Sequence, residues 1–187
     1  MLKFPPSPLK FIPPERRGRI FWLLLGLTFL LMAVFAVTGA SLTTEAAPYG
    51  VFSFELAGSI KQVVAILSSW DAETQSRAAF GLGLDYLFMV VYASTLALGI
   101  DMVAQVLQRA GWPLARWGGI FAWGVVLAAL LDAVENAALL TLLWGTLTNP
   151  WPALASKCAT LKFALIFAGL VYAMYGGAAR LAATARS

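Results

Sequence analysis

The sequence predicts an all-α polytopic membrane protein: a four-transmembrane-helix bundle with an additional amphipathic, interfacial helix in the first external connection. Three observations carry this. Of 187 residues, 60% are hydrophobic and 12% charged, against roughly 45–50% and about 25% in a soluble domain. Four apolar stretches are each long enough for a hydrocarbon core of ~30 Å, which takes about 20 helical residues. Lysine and arginine gather in alternate connections, the pattern that sets membrane orientation.

The first 19 residues, MLKFPPSPLKFIPPERRGR, form a polar, proline-rich arm. Proline fixes φ and removes a donor, so the arm is expected to be extended rather than helical. It is read as a surface tether, or as a docking strand for a partner protein. Residues 20–39 form the first span and carry no charge. The apolar region of a cleaved signal peptide is shorter, roughly 7–15 residues, so this helix is expected to be retained.

Residues 40–80 are the longest connection. Within it, residues 51–70 are mostly apolar but hold Glu55, Lys61 and Gln62, too polar for a span. Phe52, Leu56, Ile60, Val63, Val64, Leu67 and Trp70 recur at helical spacing. The segment reads as an amphipathic helix lying at the interface or dipping into the bilayer. Asp71 is expected to cap a short helix that Glu73 and Thr74 continue.

The remaining spans fall at residues 81–104, 118–144 and 155–177, making one membrane domain over residues 20–180 with a tail at 181–187. Asn149-Pro150-Trp151-Pro152 marks the turn before the last span. Trp22, Trp117, Trp144 and Trp151 lie near expected membrane–water boundaries, where amphipathic rings are favoured. One side of this topology holds Lys3, Lys10, Arg16, Arg17, Arg19, Arg109, Arg116, Arg180 and Arg186; the other holds Lys61 and Arg77, with Lys157 at its edge. The richer side is cytoplasmic by the positive-inside rule. Both termini are therefore expected in the cytoplasm and the 40–80 connection outside, as in a bacterial inner membrane.

Composition also removes chemistries. Histidine is absent, which excludes His-ligated haem, His-containing zinc sites and Ser-His or Cys-His nucleophile pairs. Cys158 is the only cysteine; it reads as a small packing residue, and no intrachain disulfide is available. A net charge of +4, scattered along the chain, does not fit nucleic acid. No metal or cofactor site is expected. The expected partners are membrane lipids, with a homo-oligomer or a larger membrane complex as options.

The third span carries the strongest chemical signal, Leu130-Leu131-Asp132-Ala133-Val134-Glu135-Asn136. Asp132, Glu135 and Asn136 are spaced i, i+3, i+4 and share one helical face. An acidic residue at a helix centre costs roughly 2.5–3.5 kcal/mol on the insertion scale, and each leucine returns only about 0.3–0.6 kcal/mol. Such a face is expected to point at protein or water, not lipid. Two carboxyls one turn apart in low dielectric resist ionising together. The second span adds Asp85 and Tyr92, seven apart. Asp101, at its inner end, is expected to meet headgroups or Arg109. The fourth span adds Lys162, five residues and about 7.5 Å beyond Lys157, which brings it near the level of Glu135. Pairing of Lys162 with Glu135 or Asp132 is the specific expectation.

Asp85, Tyr92, Asp132, Glu135, Asn136 and Lys162 are thus the candidate binding residues, and Asp132 and Glu135 the candidate acid–base groups. Ala129, Ala133 and Ala137, and Gly169, Ala173 and Gly177, form small-residue stripes expected to serve packing within the chain. Three functions fit. The first is binding or transport of a small ligand, cation or proton by a site on the third span facing the second and fourth. The second is an intramembrane enzyme using carboxylate acid–base chemistry on a lipid or isoprenoid. The third is an accessory subunit of a larger membrane complex.

Overall fold

A computed structural model describes residues 5–184; residues 1–4 and 185–187 lie outside the described part, and with them Lys3 and Arg186 of the charge count and the end of the 181–187 tail. All regular structure among the described residues is helical: α1 (Pro14–Thr38), α2 (Val51–Glu55), α3 (Ile60–Ser69), α4 (Ala72–Arg109), α5 (Gly118–Leu143) and α6 (Trp151–Thr184). Four of these, α1, α4, α5 and α6, are long and apolar enough to cross a membrane. The four-helix membrane fold read from composition is the fold present.

Several boundaries differ from expectation for local physical reasons. The arm was expected to stay non-helical through residue 19, yet α1 begins at Pro14. Proline is favoured at the first helical position, where its missing N–H has no partner to lose, and Glu15 complements the dipole in the first turn. Residues 51–70 are two helices rather than one. The break falls at residues 56–59, where the Ser59 hydroxyl caps α3 by accepting from the Gln62 N–H at 3.4 Å. Asp71 does cap a helix, accepting from the Thr74 N–H at 2.8 Å. That helix is not short, however; it is the start of the 38-residue α4. The hydrogen bond to Thr74 holds the Asp71 carboxyl below the usual carboxylate range.

The contacts of the chain fall into two compact units. One comprises Met1–Thr28, Val91–Ala129 and Phe163–Ser187. Within it α6 closes on α4 and α5 at Gly169, where a Cβ would meet Val125 at 2.9 Å and Ile100 at 3.2 Å. Phe121 stacks on Tyr172 with centroids 4.6 Å apart. The arm lies on its own chain in this unit: the Trp123 indole donates to the Pro6 carbonyl at 3.0 Å. Asp101 takes its charge partner from the first turn of α1, Arg17, rather than from Arg109. It accepts from the Arg17 guanidinium at 2.5 Å and from Gln105 at 3.1 Å.

The other unit comprises Phe29–Val90 and Leu130–Lys162. Its core holds Leu42, Phe54, Val63, Ile66 and Trp70 from the connection, together with Leu82 of α4 and Leu139 and Leu142 of α5. The 40–80 connection is therefore a packed part of the unit. Trp70 fixes it, with its indole donating to the Leu42 carbonyl at 3.0 Å and its ring edge-on to Phe54. Gly145 ends α5 at φ 92, a conformation L side chains rarely adopt. The Gly145 N–H bonds to the Leu142 carbonyl and the Thr146 N–H to the Thr141 carbonyl, which satisfies the last turn. The alanine stripe of α5 is not its buried face. Ala137 is exposed and Ala129 and Ala133 are half-buried, while Ala138, Leu139, Leu142 and the polar trio are buried.

Candidate functional site

The site lies wholly in the second unit and is built from three stretches of chain. On α5, Asp132, Glu135 and Asn136 are 3%, 0% and 1% exposed. The costly face of the third span is turned inward, as its transfer energy requires. On α6, Lys162 is 4% exposed, whereas Lys157, five residues earlier and so on the opposite side of the helix, is exposed. The Lys162 ammonium donates to Asp132 Oδ1 at 2.7 Å and to Glu135 Oε1 at 2.9 Å. Both pairings read from the sequence are present at once.

The connection supplies the third acid. Glu55, at the end of α2, is 8% exposed, and its Oε2 lies 3.6 Å from the Lys162 nitrogen. Glu135 Oε1 lies 2.9 Å from the same nitrogen, so the two carboxyls gather on one ammonium. Burial pushes the Glu55 carboxyl up from its ordinary value, with the Asp132 charge adding to the rise and Lys162 opposing it. Sequence reasoning missed Glu55 as a site residue and used it only as a mark of polarity. The available signal was its setting, Val51-Phe52-Ser53-Phe54-Glu55-Leu56-Ala57, a single acid in a short apolar run.

Asp85 reaches the edge of the same unit from α4. It accepts from the Asn136 amide at 2.6 Å and is half-buried. The neighbouring Tyr86 hydroxyl donates to the Ala133 carbonyl at 3.2 Å. Tyr92 is buried on α4 within the first unit. Of the six candidates, Asp85, Asp132, Glu135, Asn136 and Lys162 belong to one unit, joined there by Glu55.

Charge and hydrogen bonding decide what this arrangement can do. Three carboxylates around one ammonium leave an excess of two negative charges if all ionise. Excess charge in an apolar interior is removed by proton uptake rather than tolerated. Two buried carboxylate oxygens, Glu55 Oε2 and Glu135 Oε2, have no hydrogen-bond partner. One proton shared between these two carboxyls gives each an interaction that neither has when both are ionised. Among the described residues no group of three or more acids or thiols has an arrangement that could hold a metal ion. Instead, a lysine nitrogen draws the three acids together.

No protein-family model, curated protein or solved structure matches this chain, and the case for its activity rests on the Glu55–Asp132–Glu135–Lys162 cluster.

Proposed function

We propose that this protein binds and releases protons within the membrane, through a Glu55–Glu135 carboxyl pair held by Lys162 and Asp132, and couples that exchange to transport or to signalling across the bilayer. The observation that carries the reading is that Glu55 and Glu135 are both buried against one ammonium, each with an oxygen that accepts no hydrogen bond. A purely structural ion pair needs one acid for one lysine; here there are three. Enclosure favours the smallest ligand. With Glu135 at 0% exposure, a proton fits without displacing a side chain, whereas a lipid or isoprenoid substrate needs an open face.

In this proposal both termini are cytoplasmic and the 40–80 connection is external, which the asymmetry of lysine and arginine supports. A bacterial plasma membrane fits that orientation. A second reading, as a subunit of a larger complex or a homo-oligomer, is favoured by α1. Its Trp22, Leu23, Phe29 and Val37 are all more than half exposed, a face that lipid or a partner helix would cover.

Infrared spectroscopy of the protein in lipid vesicles tests the proton site. The expected result is a protonated-carboxyl band at neutral pH that is lost in Glu55→Gln/Glu135→Gln. A neutral-pH spectrum holding only ionised carboxylates refutes it.

A further inference from the structure

Glu55 is the one member of the cluster that does not come from a membrane-spanning helix. It sits on α2, a five-residue helix with Gly50 at its N-cap and Leu56 at its C-cap. Gly50 enters α2 at φ 58 and ψ −128, outside the range of an L residue, and can act as a pivot. Gly58, just past its far end, faces the Ser156 side chain. The neighbouring α3 has hydrogen bonds that do not involve α2: the Gln75 side chain donates to the Leu67 and Trp70 carbonyls, both at 3.1 Å, and the Trp70 indole to the Leu42 carbonyl. α2 is anchored by the fully buried Phe54 ring, set edge-on to Trp70 in the core, by a 3.4 Å hydrogen bond from the Ser156 hydroxyl to the Leu56 carbonyl, and by Glu55, the one charged group of the helix.

We propose that α2 is a proton-latched lid over the buried cluster: a proton shared by Glu55 and Glu135 keeps it closed, and loss of that proton releases it. This rests on the proton-site reading above and adds to it the element that moves. Four charged or titratable side chains bear on Glu55: Lys162 from α6, Asp132 and Glu135 from α5, and Asp85 from α4. Three of the four are acids, so an ionised Glu55 meets a predominantly negative surround that a single ammonium at 3.6 Å must offset. A protonated Glu55 donates to Glu135 instead and removes the repulsion.

The direction with pH follows from linkage. In the closed lid, burial holds the Glu55 carboxyl above its ordinary value of 4.5; in the open lid it returns to that value. The closed state therefore binds the proton more tightly. Closure is at full strength below the ordinary carboxylate range. As pH rises from there through the raised value, closure weakens by about tenfold per pH unit for one proton.

Hydrogen exchange on the full chain in lipid nanodiscs reads this out. The quantity is the exchange rate of α2 amides relative to α3 amides, which cancels the intrinsic pH dependence of exchange. The wild-type ratio is expected to climb about tenfold per pH unit across that window. In Glu55→Gln, whose amide donates to Glu135 at every pH, it is expected to stay flat. A pH-independent wild-type ratio overturns the lid, and so does an equal climb in Glu55→Gln. If the variant does not fold, the wild-type ratio decides alone. A protonated-carboxyl band with a flat ratio removes the lid and leaves the proton site standing; absence of the band removes both.

Discussion

Replacing Lys162 with methionine isolates the charge balance of the cluster. Methionine keeps most of the stem volume and deletes an ammonium that lies 2.7, 2.9 and 3.6 Å from three carboxyls. Lys162 is 4% exposed, so water does not replace it. The cluster must then take up one more proton than before. Holding a carboxyl of ordinary pKa protonated costs about 4 kcal/mol near pH 7 and about 1 kcal/mol near pH 5, at 1.36 kcal/mol per unit. The first value agrees with the roughly 3–5 kcal/mol lost when one partner of a buried ion pair is removed. On the scale of a soluble domain of this length, about 2–4 °C per kcal/mol, the melting temperature falls on the order of 10 °C at neutral pH. Most of that loss is recovered in mild acid. Thermal melts in detergent followed by tryptophan fluorescence measure it directly, with wild type at each pH as the reference. Equal losses at both pH values, or none at either, refute the account of Lys162 as the counter-charge to an over-acidic cluster.

Other outcomes follow from the same contacts. Glu135→Gln keeps an acceptor for Lys162, removes one excess charge and offers a donor to Glu55, so it is expected to melt at or above wild type in mild alkali while losing the proton signal; a melting temperature several degrees lower contradicts this. Asp101→Ala strips the half-buried Arg17 of its carboxylate, a charged hydrogen bond worth about 1.5–3 kcal/mol, and denaturant melts of Asp101→Ala against Asp101→Ala/Arg17→Ala should show the second change costing little more. Gly145→Ala meets open space but adopts φ 92, so its cost is conformational alone, about 1–2 kcal/mol, and Gly145→Asn should recover part of it in the same melts.

The membrane class, the four long helices and the inward face of α5 were legible in the sequence because each depends on a local quantity. Hydropathy over some 20 residues selects a span. The i, i+3, i+4 spacing of Asp132, Glu135 and Asn136 fixes a shared face whatever the helix packs against. Lys162 could be matched to them because axial rise converts residue number into depth. The Asp71 cap and the Gly145 stop are likewise local in origin.

Other features came from packing between distant segments. Glu55 joins the cluster because α2 folds over it, and its role depends on the carboxyl of Glu135 on a different element. Asp101 finds Arg17 rather than Arg109 because the first turn of α1 lies against α4 at that level. The alanine stripe of α5 has the right spacing for close packing, yet burial went to the polar trio and the leucines after it. A buried carboxyl loses far more than an alanine gains when turned to lipid, so the acids set the rotation of the helix, and Ala128 and Ala138 rather than the 129/133/137 stripe share the buried face. Sequence spacing states which residues share a face; the relative cost of exposing each face decides which one is buried, and only the assembled chain shows what meets it.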